Sequence, residues 1–191
     1  MQAARIRKKA INIRKVRKLH RIAGVYFFVL IIIVSVTGLL LAWKKDVPGL
    51  LSVPTQQGTS QKPEEWMPFE DLYNIARKVV IEEFPDQNEV VFNRVDLRPG
   101  KGVVKFIFEK KYFEVQLDAA TGRILSRSIR TSDIIENVHD GSIIDHLLDS
   151  EKSCGKLIIS TLTGFAALFF AFSGIWLRWQ RKVIRKRYSG N

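Results

Sequence analysis

The sequence predicts an α+β membrane protein: a hairpin of two transmembrane helices with one extracytoplasmic domain, a helix laid on an antiparallel sheet. Three observations predict it. Residues 22–43 and residues 157–177 are uncharged runs of 22 and 21 residues, and at a rise of 1.5 Å per residue each crosses a hydrocarbon core of about 30 Å. Between them, apolar residues follow first a helical period and then β-rich runs separated by turn residues. Charge is also partitioned. Residues 1–21 hold nine Lys or Arg and residues 178–191 hold six, with no acid in either, whereas residues 44–156 hold the other sixteen basic residues and all nineteen acidic ones.

That partition sets the expected topology. The net charge of +12 sits in two short tails that abut the spans, where the positive-inside rule is read. Both termini are therefore expected in the cytoplasm and the middle segment outside, in the cytoplasmic (inner) membrane of a bacterium, with the domain periplasmic. The tails then serve as topology signals and contacts for anionic lipid headgroups, and nucleic acid is not an expected partner. The first apolar run exceeds the roughly 7 to 15 residues of a signal-peptide core and ends without a small-x-small cleavage site, so it is expected to stay as an anchor. Trp43 at one end and Trp176 with Trp179 at the other fit an aromatic belt.

Taken in order, residues 1–21 form a basic tail. Ile6, Ala10, Ile13 and Val16 allow an amphipathic helix on the inner leaflet or a segment disordered until it meets lipid. Residues 22–43 are the first span, with Ser35, Thr37 and Gly38 near its outer end. Residues 44–65, with Pro48-Gly49 and a run of Gln, Ser, Thr, Pro and Gly, read as a linker. The folded domain is 66–129. Phe69, Leu72, Ile75, Ala76, Val79 and Val80 predict a helix over 69–84 that Pro85 stops. Strands are expected over 90–97, 103–109, 112–118 and 123–128, with Leu72, Ile75, Val79, Val104, Phe106 and Val115 in the core. Residues 130–156 are an interfacial segment containing an amphipathic helix over 133–148. The second span, 157–177, carries Gly164, Ala167, Ala171 and Gly174, with Ser160 one turn earlier, on one narrow packing face. Its partner is the first helix, a second protomer or a flat cofactor. Residues 178–191 are the second basic tail. The single Cys154 has no internal disulfide partner and is expected as a free thiol near the headgroups.

Several short motifs carry a family resemblance. Asp118-Ala-Ala-Thr121-Gly122-Arg-Ile-Leu125 resembles the D-x-x-T-G-x-x-L ending of PepSY domains. His20-Arg21-x-x-Gly24, Thr37-Gly38, Ile135-Glu-Asn-Val-His139-Asp-Gly141 and Ser173-Gly174-x-Trp176 resemble the PepSY-associated transmembrane (PepSY-TM) family, over roughly residues 16–180. Larger members of that family are haem-containing reductases of iron-siderophore complexes. The resemblance therefore implies a haem b cofactor with His20 as an iron ligand, and Gly24 lies in the same motif. The other reading of His20 is a headgroup-level histidine that anchors the helix.

His139 is the second candidate haem ligand, and Gly141 beside it would let a porphyrin edge approach. Glu136 either orients the His139 ring or is solvated. His146, seven residues on, falls on the same face of a continuous helix, about 10 Å away, or is simply exposed. His20 and His139 should be separated by most of the ~30 Å bilayer, so they cannot share one iron. A homodimer would restore four helices and bring the two copies of each histidine together. The expected function is electron transfer outward to an acceptor such as a ferric siderophore. No nucleophile and base pair, phosphate loop, HExxH or CxxC points to other chemistry. Two alternatives stand: a tethered PepSY module that binds peptide or modulates a peptidase by strand addition, and an accessory subunit that packs through its Gly164 face.

Overall fold

A computed structural model of the chain describes residues 2–188 except 45, 48, 50, 52, 87, 88, 91 and 149–151. The turn expected at Pro48 and the strand position expected at Val91 lie outside the described residues. The elements are α1 (Gln2–Trp43), α2 (Phe69–Glu83), β1 (Arg94–Arg98), β2 (Val103–Phe108), β3 (Phe113–Asp118), β4 (Ile124–Ile129), α3 (Thr131–Asp140), α4 (Ser142–Leu147) and α5 (Cys154–Tyr188). They fall into two units, a sheet unit Gly38–Asn137 and a helical unit made of the residues up to Thr37 with those from Val138 onward.

In the sheet unit the four strands form an antiparallel meander in the order β1-β2-β3-β4. Alternation places Val95, Phe106 and Val115 in register on one face. On that face Val104, Phe106, Phe108, Phe113, Val115 and Leu117 pack with Leu72, Ala76, Val79 and Val80 of α2. Each fully buried Val, Leu or Phe contributes about 1.5–3 kcal/mol. Ile75 lies partly buried at the edge of this cluster. Glu70 and Asp71 sit in the first turn of α2, where the helix dipole favours acids, and the helix stops one residue before Phe84 because Pro85 cannot continue it. The first strand starts four residues later than its composition predicts, with Val90 and Phe92 spent on the core instead.

The opposite face of the sheet is also covered. Lys105, Glu114, Gln116 and Asp118 are buried there; residues 54–60, read as linker from composition, run across Gln116 and Asp118, and Arg130 reaches Glu114. Gln56 N donates to Gln116 Oε1 at 3.0 Å, Gln116 Nε2 donates to Pro54 O at 3.4 Å, and Thr59 donates its N–H and hydroxyl to Asp118 Oδ2. Gly58 and Gly102 let the two backbones cross: a Cβ on Gly58 would lie 2.0 Å from Gly102 O, and one on Gly102 would lie 2.2 Å from Ser60 O.

In the helical unit, two helices among the described residues are long and apolar enough to cross a membrane, Asn12–Trp43 and Cys154–Val183. Both apolar runs are parts of longer helices that continue into the basic tails. Val25, Tyr26, Phe28, Phe165 and Phe172 are exposed, an arrangement that suits contact with lipid tails rather than water. α5 buries Gly155, Ala166, Ser173 and Leu177 and half-buries Ile159, Thr163 and Phe170. The predicted packing stripe is offset from that face by one residue throughout, about 100° around the helix. Ser160, Gly164, Ala167 and Ala171 are exposed and Gly174 half-buried, and a Cβ on Gly164 or Gly174 would meet nothing within 4 Å. The first helix is therefore not the partner of this stripe.

The helix expected over 133–148 is broken in two at Gly141, whose φ is +86°. A Cβ there would lie 2.4 Å from Ile159 Cβ, so glycine is needed both for the turn and for the approach of α5. The break places His139 and His146 on different helices, which removes the common face expected of a continuous one.

Candidate functional site

The helical unit holds two histidine sites, one toward each end of the apolar part of α1. His20 Nδ1 lies 2.6 Å from Ser173 Oγ on α5. His139 Nδ1, at the end of α3, lies 3.0 Å from Thr37 Oγ1 on α1. Each histidine of the motif set thus meets a hydroxyl of another motif, Ser173-Gly174 or Thr37-Gly38. Seventeen residues of α1 separate His20 from Thr37, about 26 Å of helix. The two imidazoles belong to separate sites, as the sequence expectation required.

Both rings are half-buried and both hydroxyls are buried. The His20 ring stands edge-on to Phe170 at 5.2 Å and tilted to Phe169 at 6.3 Å, so aromatic rings shield one side of it. Thr37 Oγ1 also donates to Ile33 O at 2.7 Å, and Ser173 Oγ to Phe169 O at 2.5 Å. These bonds to the carbonyl one turn back satisfy a hydroxyl inside an apolar helix. Among the described residues, Nε2 of neither ring has a hydrogen-bond partner.

The position of His139 is fixed by the corner between α3, α4 and α5. Asp145 accepts from Gly155 N at 2.6 Å and Lys156 N at 2.9 Å, capping α5 from outside. Asp140 accepts from Ser142 N and Oγ and pairs with Lys156 Nζ at 2.8 Å. Burial opposes ionisation of Asp140, but the Lys156 and Ser142 contacts outweigh it and hold its pKa below the ordinary carboxylate value. Ser160 Oγ donates to Asp140 O at 3.0 Å, so the first residue of the predicted stripe ties α5 to this corner.

Other expected site residues are placed differently. At Gly141 an added Cβ would meet Ile159 of α5. A Cβ on Gly24 would sit 3.9 Å from Phe170 Cε1, an ordinary contact, so glycine is not sterically required there. Glu136 belongs to the sheet unit, is 60% exposed and lies 3.9 Å from Lys44 Nζ; the partner of the His139 Nδ1 atom is Thr37. Cys154 is an exposed free thiol at the first residue of α5.

The sheet unit has a polar feature that the sequence reading missed. Glu114 accepts from Lys105 Nζ at 3.2 Å, Gln116 Nε2 at 2.9 Å and Arg130 Nη1. Arg130 also grips Asp133 through Nε at 2.6 Å and Nη2 at 3.1 Å. Burial opposes ionisation of Asp133, but the Arg130 guanidinium outweighs it and holds its pKa low. This chain leads to a cleft of about 390 Å³ lined by Lys44, Arg94, Tyr112, Arg130, Asp133 and Glu136, among others. Tyr112 has a left-handed φ of 51° and is held there by Arg130 N to its carbonyl at 2.7 Å and by Asn137 Nδ2 to its hydroxyl at 2.8 Å.

Two membrane-length helices, a four-stranded PepSY-like domain that lies between them in sequence and two interhelical histidine sites define an α+β membrane protein of the PepSY-bearing class. A family model described as the PepSY-associated TM region matches residues 17–190, and the chain belongs to that family. A comparison with curated proteins found no match.

Proposed function

We propose that this protein is a haem b electron-transfer component of the bacterial cytoplasmic membrane, dimeric, that passes electrons outward to a ferric complex such as a ferric siderophore. The observation that carries this reading is the pair of half-buried imidazoles, His20 and His139, each held across two helices at opposite ends of the apolar span of α1.

The donor set suits a porphyrin better than a free ion. Each site offers one imidazole, and no group of three His, Cys, Asp or Glu side chains with metal-binding spacing occurs among the described residues. A structural or catalytic zinc needs three or four protein ligands, whereas an axial haem position needs one from each side. His20 and His139 would each hold a haem iron, and a second copy of the chain, related by a two-fold axis along the membrane normal, would bring a second imidazole to each site. Bound haem supplies one-electron chemistry at a potential set by its axial ligands and burial. Phe169 and Phe170 keep water from one side of the His20 ring, and the Asp140 and Asp145 contacts hold the His139 corner rigid. The basic tails keep both termini cytoplasmic under the positive-inside rule, with the sheet domain in the periplasm.

The test is the visible spectrum of protein purified from cells supplied with haem. A Soret band is expected, with His20→Ala and His139→Ala each removing about half the bound haem. Absence of the band, or a spectrum indifferent to both changes, defeats this reading. The second reading, a tethered module that binds peptide or modulates a peptidase without redox chemistry, draws on β1 and β4, each an edge strand with one sheet partner among the described residues.

A further inference from the structure

The two histidine sites share a feature that concerns protons. A hydroxyl carries one proton, and a carbonyl oxygen carries none. Thr37 Oγ1 lies 2.7 Å from Ile33 O, and Ser173 Oγ lies 2.5 Å from Phe169 O. Two oxygens at that separation repel unless a proton lies between them, so each hydroxyl proton is committed to its backbone carbonyl. What each hydroxyl has left for the imidazole is a lone pair. The contacts from Thr37 Oγ1 to His139 Nδ1 at 3.0 Å and from Ser173 Oγ to His20 Nδ1 at 2.6 Å are then Nδ1–H donating to oxygen. A neutral imidazole has only one N–H, so Nε2 is bare in both rings.

We infer that Thr37 and Ser173 are positioning residues that lock neutral His139 and His20 as Nδ1–H tautomers and make Nε2 the ligating atom of each site. Assigning an iron porphyrin to Nε2 rests on the reading above; the tautomer does not. The same device occurs twice, on different helices and with different hydroxyl residues, and α1 contributes the histidine to one copy and the hydroxyl to the other. Each hydroxyl is a neutral acceptor. It orients the ring without drawing off the Nδ1 proton as a carboxylate partner can, so the ligand presented is imidazole and not imidazolate.

The test uses the full-length protein in lipid nanodiscs, labelled with ¹⁵N-histidine and held above the histidine titration range. His20→Gln, His139→Gln and His146→Gln assign the ring signals. Both wild-type rings should be protonated at Nδ1. Ser173→Ala should redistribute the proton in His20 alone and Thr37→Val in His139 alone, while Ser173→Thr and Thr37→Ser keep the wild-type pattern and control for misfolding. Haem affinity of the affected site should fall roughly 10- to 100-fold in Ser173→Ala or Thr37→Val. A wild-type ring protonated at Nε2, or an alanine or valine variant with unchanged tautomers, overturns the inference. Protein that shows the expected tautomers and takes up no haem supports the lock and overturns the haem reading instead.

Discussion

Glu114 Oε1 lies 3.2 Å from Lys105 Nζ inside the sheet domain, on the face turned away from α2. Glu114 is the common acceptor for Lys105, Gln116 and Arg130, so its removal takes the carboxylate from buried Lys105 and leaves Arg130 with Asp133 alone. Glu114→Ala should destabilise the domain by about 3–5 kcal/mol, the usual cost of breaking a buried pair from one side. Lys105→Met should cost less, because Glu114 keeps Arg130 and Gln116. Urea unfolding of a fragment spanning residues 51–137 measures both, and equal losses would show that the glutamate is not the hub.

The crossing of Gly58 over Gly102 makes a steric prediction. An added methyl on Gly102 meets Ser60 O at 2.2 Å, and Gly102 itself has a φ of +64°. Neither backbone can give way without lifting residues 54–60 from the sheet. Gly102→Ala should therefore cost about 1–3 kcal/mol or more and expose Gln116 and Asp118 to solvent. Hydrogen exchange should report faster exchange at Gly58 N and Thr59 N, which bond to Lys101 O and Asp118 Oδ2. Unchanged protection at both amides would contradict the crossing.

Asp118 gives the stability of this domain a pH dependence of known sign. Burial opposes its ionisation, but bonds from Thr59, Ala120 and Thr121 outweigh burial and hold its folded pKa below the ordinary 3.8. A carboxyl with a lowered folded pKa contributes stability that is complete above the unfolded value and lost as pH falls through the folded one. Asp133 acts in the same direction. The free energy of unfolding should be flat above about pH 5 and decline below about pH 4. Asp118→Asn should lower stability at pH 7 and flatten part of that decline. Stability that rose on acidification would refute the assignment.

Most of the architecture follows from local pattern. The uncharged runs, the helical spacing of Leu72, Ala76, Val79 and Val80, and the strand alternation around Phe106 and Val115 are each carried by neighbours in sequence. The covered second face is not. Lys105, Glu114 and Gln116 alternate with apolar residues as solvent-facing positions do, and their partners are remote or come from a stretch whose composition suggests a linker: Gln56 meets Gln116 and Arg130 meets Glu114. The histidine sites were half legible: His20, Thr37, His139 and Ser173 all fall in family motifs, but nothing local pairs residues 102 or 153 positions apart. Glu136 was the nearer candidate to orient His139 by sequence distance. The steric demand for glycine at 141 is equally non-local, since it comes from Ile159 on another helix.

The single cysteine tests the topology. Cys154 is exposed at the first residue of α5, and the proposed topology, read from the charge partition, would put that end outside. A membrane-impermeant maleimide should label Cys154 on intact spheroplasts. In a Cys154→Ser background, Arg181→Cys should react only after lysis. Labelling of both from the same side would rule out a two-span hairpin.

The stripe on α5 lies apart from the face that packs within the chain, and in the proposed dimer it would meet a second copy. Ala166 and Ser173 lie on the face that the chain buries, whereas Gly164, Ala167 and Ala171 are exposed. Small residues in a row let a second helix approach closely in lipid, where association depends on van der Waals fit. Gly164→Leu and Ala171→Leu should leave the fold intact, because a Cβ on Gly164 meets nothing within 4 Å and Ala171 is exposed. Both should weaken self-association, measured by energy transfer between labelled copies in nanodiscs or liposomes. Ala166→Leu should instead disturb the monomer itself, since Ala166 is only 5% exposed. If each haem takes one axial histidine from each copy, loss of association in Gly164→Leu should be matched by loss of the six-coordinate haem spectrum. Undiminished energy transfer in both stripe variants would show that the stripe is not a contact between copies, and self-association lost with the haem spectrum unchanged would refute ligation shared between copies.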